Sequence, residues 1–327
     1  MRVRLGRAAG IVAAATAAVL VGTITPALAA TSTIVVTNQT APRGGVVLTG
    51  ADGLQHLWEG DEISGLCRFD PTGTTFTKDP SSCLLAFAGS PAIKPGNVSF
   101  DGHYIYLPDI SAKSIGVGKV AYDPAANLGK GGLSIFDRGV VAGTCGLAGG
   151  LPWATALGPD GNLYVSFKKN ANITRIIHPG AFSGNCADVH TIGTSGDGRK
   201  SFALAFAGTN LWETNNNGIG VIPNATAITT GTVPSNEIFL VAGANGMTSD
   251  ANGEVYVGNN TDLQVFDGIN GSNPVSVATG FSLVMGVAVD PTSVGLPGTL
   301  AGRVLVADDP TGGLSPGTGR TWLVTLP

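Results

Sequence analysis

Charge is scarce in this sequence: Asp, Glu, Lys and Arg make up 12 % of 327 residues, about half the share of an ordinary soluble domain. A helical bundle, which draws on Glu, Lys, Arg and Leu, is excluded by that shortage. Histidine (4), methionine (3) and cysteine (4) are rare, and aromatics reach only 6 %. No Cys-x-x-Cys pair, P-loop, His-Glu-x-x-His or EF-hand loop occurs, so the motif-borne zinc, nucleotide and calcium chemistries are absent. Gly193-Thr194-Ser195-Gly196-Asp197 misses the nucleophile-elbow pattern by its last residue. Beyond residue 30 no apolar run is long enough to span a bilayer.

Glycine (49) and proline (19) are plentiful but follow no triplet period, which excludes collagen, and 43 % hydrophobic residues suffice for a real core. Residues 1–30 read as a secretory signal: Arg2, Arg4 and Arg7, an apolar stretch from Ala8 to Ile24, then the small-residue site Pro26-Ala27-Leu28-Ala29. The Ala/Arg-rich composition points to a bacterium, and to a secreted or periplasmic chain with no membrane span after cleavage. The remaining residues 31–327 form one domain. Removing the three signal arginines from 18 basic residues against 22 acidic ones leaves a net charge of −7, which argues against nucleic acid as a partner. In an oxidising compartment Cys67, Cys83, Cys145 and Cys186 are expected to pair; three connectivities are open, and Cys67–Cys83 with Cys145–Cys186 is favoured.

A repeat runs along the mature chain. Its clearest copy is Ala154-Thr155-Ala156-Leu157-Gly158-Pro159-Asp160-Gly161-Asn162-Leu163-Tyr164-Val165, two short strands around an Asp-Gly turn. Related pieces start near Thr49, Val98, Leu204, Met247 and Gly286, with third strands ending at Pro71, Pro124, Pro179, Pro223, Gly268 and Thr325. Fourth strands are expected around Leu84–Phe87, Leu133–Phe136, Val189–Ile192, Ile238–Val241 and Val275–Ala278. The sixth unit lacks a fourth strand, and the orphan strand Thr33–Thr37 supplies it. An all-β, six-bladed propeller closed by its N-terminal strand is the fold so predicted, with seven blades as the alternative.

Gly158–Val165 followed by Asn172-Ile173-Thr174-Arg175-Ile176 resembles the repeat of NHL-type and streptogramin-lyase-like propellers within the SMP-30-like superfamily. That resemblance implies a propeller and leaves lyase, lactonase and non-catalytic binding roles open. The six-bladed lactonases hold a metal with a Glu, an Asn and an Asp near the channel mouth. Asn245-Gly246-Met247 is similar to their Asn-Gly element, whereas Gly44–Leu48 holds no Glu and Val284–Val289 no Asp. Streptogramin lyases use histidines; here His56 and His103 fall on adjacent second strands, and His178 and His190 lie further out.

The ends of the second strands should share one face. They carry Glu59, Asp61 and Glu62; Asp109; Lys168 and Lys169; Glu213 and Asn215; Asn259, Asn260 and Asp262; Asp308 and Asp309. A ring of carboxylates and amides suits Ca²⁺, with Asn245, Asp109 and Asp308 as the expected ligands. Trp58, Trp153 and Trp212 lie at strand ends, placed either to line a ligand site or to fill wedges between blades. With incomplete catalytic sets, the sequence favours a non-catalytic module presenting Glu59, Asp61, Asp109, Trp153, Glu213, Asn245, Asn259 and Asp308 to a small molecule or exported protein. The alternative is a divalent-metal-dependent lactonase or lyase.

Overall fold

The computed structural model describes residues 30–87, 91–124, 133–141, 145–182, 184–198, 200–240, 243–268, 274–289, 303–312 and 315–326. The expected signal segment lies outside them. The chain opens with β1 (Thr31–Gln39). Blade 1 is β2 (Pro42–Thr49), β3 (Gln55–Asp61), β4 (Gly65–Thr72) and β5 (Thr75–Leu84). Blade 2 is β6 (Ser99–Phe100), β7 (Tyr104–Pro108), β8 (Val117–Tyr122) and β9 (Leu133–Val140). Blade 3 comprises β10 (Pro152–Leu157), β11 (Leu163–Phe167), β12 (Asn172–Ile176) and β13 (Val189–Thr194). Blade 4 comprises β14 (Ser201–Ala207), β15 (Asn210–Asn215), β16 (Gly218–Ile222) and, after the short β17 (Val233–Pro234), β18 (Asn236–Leu240). Blade 5 is β19 (Ala244–Ser249), β20 (Glu254–Asn259), β21 (Asp262–Asp267) and β22 (Val275–Thr279). Blade 6 holds β23 (Val284–Val289), β24 (Arg303–Asp308) and β25 (Gly319–Thr325), and β1 pairs antiparallel with β25 as its outermost strand. Six blades, closed by the N-terminal strand, settle the count; β17 adds a short parallel pairing to the edge of blade 3.

The fourth strand of blade 1 differs from expectation, running over Thr75–Leu84 rather than around Leu84–Phe87. Gly73, in the left-handed region at φ 64°, turns the chain back directly after β4. Cys83 then falls opposite Cys67, and the two are joined; Cys145 and Cys186 form the second disulfide.

Buried side chains group by wedge between neighbouring blades. Trp58 and Leu66 meet Ile105 and Val120 between blades 1 and 2. Tyr106 meets Leu163 between blades 2 and 3, and Tyr164 meets Leu211 between blades 3 and 4. Trp212 meets Phe266, Tyr256 meets Val304, and Leu305 meets Leu57 across the remaining wedges. Trp58 and Trp212 are therefore wedge fillers, each 1 % exposed or less.

The Asp of each repeat turn has a defined task. Asp101, Asp160 and Asp250 accept backbone N–H groups of their own turns and the hydroxyls of Tyr106, Tyr164 and Tyr256 on the second strands. In blade 1 the corresponding pair is Asp52 and His56, Oδ1 to Nε2 at 3.0 Å. His56 thus stands where other blades carry tyrosine, and its Nδ1 is taken up by Asp70 at 2.7 Å. His103 packs edge-on against Tyr104. Neither takes part in a cluster of metal-ligating side chains among the described residues.

Candidate functional site at the upper mouth

Each inner strand starts with the same irregularity. The register skips one residue between Pro42 and Gly44, Pro152 and Ala154, Ser201 and Ala203, Ala244 and Gly246, and Val284 and Gly286. In blade 2 the pairings Pro95↔Asp109 and Ser99↔Tyr106 imply the same skip. A bulge leaves one residue out of the ladder and re-aims its side chain. The extra residues are Arg43, Trp153, Phe202, Asn245 and Met285, one from each of five blades, at the end of the axis where second strands finish. This end is called the upper mouth.

Three of these residues meet across the axis. Trp153, Met285 and Ile110 form a buried apolar cluster, with Phe202 and Leu283 packed against it. Trp153 and Phe202 stand edge to face, centroids 5.6 Å apart. Lys168 Nζ lies 4.9 Å from the Trp153 ring centroid and Lys200 Nζ 4.7 Å from that of Phe202. The mouth therefore has an aromatic floor with two ammonium groups over it.

Arg43 is 4 % exposed and bridges two acids: Nε reaches Glu62 Oε1 at 2.6 Å and Nη1 reaches Asp309 Oδ2 at 3.5 Å. Both bonds from Arg43 to Glu62 end on Oε1. The Asp309 side chain is fully covered, whereas Glu62 keeps 19 % of its own exposed.

Beneath this floor the inner strands of blades 1, 5 and 6 touch backbone to backbone. A Cβ on Gly286 would lie 2.4 Å from the Gly44 Cα, and one on Gly246 would lie 2.7 Å from the Gly286 Cα. Further down the channel widens to a cavity of about 310 Å³ lined by all six inner strands, among them Ser99, Thr155, Thr248, Leu48, Phe100 and Phe206. None of its lining side chains carries a titratable group.

The carboxylates expected on the rim are placed there and largely turned inward. Asp61 accepts four backbone N–H groups, from Thr40, Ala41, Ile63 and Ser64. Asp109 accepts those of Lys94, Ser111 and Ile115 and the Ser111 hydroxyl. Asp308 takes Ser282 N, Leu283 N, Arg320 Nε and Trp322 Nε1. Each pins its strand end to the segment that enters the same blade. Glu213, fully buried, accepts from Gly196 N, Asn215 Nδ2 and Ser235 Oγ through Oε1. Asn259 closes β20 opposite Ala244.

Glu59 is 2 % exposed and bonded to Gln39 Nε2 and the Thr321 hydroxyl. Burial pushes its carboxyl up to about 7, against the opposing pull of those two bonds. Protonated, Glu59 completes a ring of hydrogen bonds through Thr321 Oγ1 and Gln39, where β1 and β25 meet blade 1.

The metal set Asn245, Asp109 and Asp308 is not brought together. The oxygens of Asp109 and Asp308 are filled by donors of blades 2 and 6, and the Asn245 amide donates to Gly243 O at 3.1 Å. Among the described residues no three His, Cys, Asp or Glu side chains converge on one point. At the mouth itself Arg43 already compensates Glu62 and Asp309. This donor set does not fit a divalent cation, which needs several uncompensated oxygens.

Of the expected residues, the bulges deliver Trp153 and Asn245 to the mouth. Arg43, Phe202, Met285, Ile110 and Lys200 escaped the sequence reading. One signal was present: Lys168-Lys169 breaks the acidic pattern of second-strand exits.

No family model matches the chain, and no curated protein matches it. Solved structures do, along nearly its whole length. A gluconolactonase from Xanthomonas campestris superposes with a TM-score of 0.61 at 12 % identity, covering 91 % of this chain and 90 % of that one. The PQQ-bound aldose sugar dehydrogenase of Streptomyces coelicolor gives 0.58 at 16 % identity, covering 92 % and 99 %. A calcium-binding protein, regucalcin, from Agrobacterium tumefaciens gives 0.57 at 12 %, covering 92 % and 94 %. These matches correct the expectation of a non-catalytic module, since the propellers that share the whole ring include a gluconolactonase and a sugar dehydrogenase. The chain is similar in fold to SMP-30/gluconolactonase-like six-bladed propellers.

Proposed function

We propose that the protein is an exported enzyme that opens a small lactone, working at the upper mouth. The observation that carries this reading is the ring of bulged residues, which brings Trp153, Phe202 and Arg43 to the propeller mouth, where Lys168, Lys200 and Glu62 contact them. Trp153 and Phe202, with Met285 and Ile110, make one side of the mouth apolar, and the C–H side of a sugar-derived ring packs beside the two lysines that cover their faces. Addition of water to the ester carbonyl makes an oxyanion, and Lys168 and Lys200 supply positive charge for it. Glu62, held through Oε1 by Arg43, takes the proton from the attacking water through Oε2. The new C–O bond forms, the ring C–O bond breaks, and the proton passes to the departing ring oxygen.

No step is drawn through a divalent ion, because the donors do not fit one. Export rests on the signal-like segment and is supported by the two disulfides; among the described residues no helix is long and apolar enough to cross a membrane. The test is a titrimetric screen of lactones with the mature protein, with and without EDTA. Hydrolysis that survives the chelator supports the proposal. Hydrolysis lost with EDTA and restored by Ca²⁺ contradicts the metal-free chemistry, and no hydrolysis of any lactone contradicts the function.

A further inference from the structure

Beside the aromatic floor, blades 3 and 4 enclose an open depression of about 580 Å³ lined by Lys168, Lys169, Asn170, Ala171, Gly198, Lys200 and Asn216. Three ammonium groups share it, and among the described residues none forms an ion pair. In a chain of net negative charge, three cations gathered in one depression make a local positive field. Asp197, beside Gly198, accepts from Asn216 Nδ2 at 2.7 Å through Oδ2 and from Ser195 Oγ at 3.0 Å through Oδ1. Asn170 uses its Oδ1 to accept from Asn172 N at 3.0 Å, which leaves its amide NH₂ for another partner.

The position is built by the fold. Four of the other second strands end in Asp or Asn side chains that cap backbone N–H groups, at Asp61, Asp109, Asn215 and Asp308. In blade 3 the strand ends in Phe167, and the following Lys168 and Lys169 bind the segment entering the blade through main chain alone, Lys168 N to Leu151 O at 2.9 Å and Lys169 N to Gly150 O at 3.0 Å. Their side chains are thereby freed from the capping task.

We infer that this depression is an anion subsite, contiguous with the aromatic floor through Lys168 and Lys200, which line the one and cover the other. Resting on the lactone-opening reading above, it sets the substrate class: a lactone that carries a carboxylate or phosphate on the carbon chain beside its ring. Lysines act as point charges and accept either group.

Calorimetry with glucarate and with inorganic phosphate tests the subsite without turnover. Micromolar to millimolar binding of either one, weakened at least tenfold in K168Q/K169Q/K200Q and by added salt, supports it. Binding of neither, or binding that the triple variant retains, overturns it. Turnover supplies the second arm, with gluconolactone as the neutral substrate against phosphogluconolactone and the monolactone of glucaric acid. The expected preference in kcat/KM for an anionic lactone is tenfold or more, reduced in Lys169→Gln with the gluconolactone rate unchanged. Equal rates on neutral and anionic lactones overturn the subsite while leaving the function standing. Anion binding without hydrolysis does the reverse.

Discussion

Glu59 shows how one residue can carry a condition on the whole ring. Its folded carboxyl titrates near 7, above the ordinary value of about 4.5, so the unfolded chain releases this proton first as pH rises. The associated stability is fully present below about pH 4.5 and is lost as pH climbs through about 7, by roughly 1.4 kcal/mol for each unit separating the two values. Glu59→Gln keeps the partners of Gln39 and Thr321 without the charge. It is expected to flatten the fall in melting temperature between pH 5 and 8 and to melt higher than the parent at pH 8; an unchanged pH profile would show that Glu59 is ionised in the folded protein. Among residues, Trp153 could be read from its place at a strand end and Asn245 from its likeness to the lactonase Asn-Gly element. Arg43, Phe202 and Met285 could not: a bulged residue belongs to neither face of the alternating pattern, so strand periodicity gives it no direction.

At the scale of elements, the inner strands of blades 2 and 3 are joined directly. Asn97 N donates to Trp153 O and Thr155 N to Asn97 O, and Gly96 makes the approach feasible, since a Cβ there would stand 1.8 Å from Trp153 O. Gly96→Ala is expected to destabilise the protein by about 1–3 kcal/mol and to disturb Trp153, read together by denaturant unfolding and tryptophan fluorescence. Asp109→Ala removes an acceptor of three N–H groups and should cost about 2–4 kcal/mol, whereas replacement of the half-buried Asp262, which accepts from the neighbouring Thr261 hydroxyl, should cost less. The strands of blades 2, 3 and 5 were legible because an Asp-bearing turn and a Tyr-bearing second strand repeat with a hydrogen bond between them. The outer strand of blade 1 was misplaced because Gly73 turns the chain earlier than in the sister blades.

For the whole molecule, the ring count came from the sequence arithmetic of six units and one orphan strand, and closure by β1 follows from the need to leave no open edge. The Cys145–Cys186 bridge closes 41 residues and Cys67–Cys83 closes 16. On chain-entropy grounds the longer loop is worth about 4 kcal/mol and the shorter about 3 kcal/mol. Removing Cys145 and Cys186 as a pair should therefore lower the melting temperature more than removing Cys67 and Cys83, as scanning calorimetry would show. The site was less legible than the ring, since it is made where five bulges and one pair of strand exits converge, and convergence is a property of closure rather than of any segment.

Lactone hydrolysis by the mature protein and by its Glu62→Gln variant, in the presence of EDTA, bears most directly on the central claim. The expected result is turnover well above the spontaneous rate for the parent, and a loss of roughly a hundredfold or more in kcat for the variant with its melting temperature maintained. Turnover that Glu62→Gln leaves intact, or its absence from the parent across neutral and anionic lactones, would contradict an active site at the upper mouth.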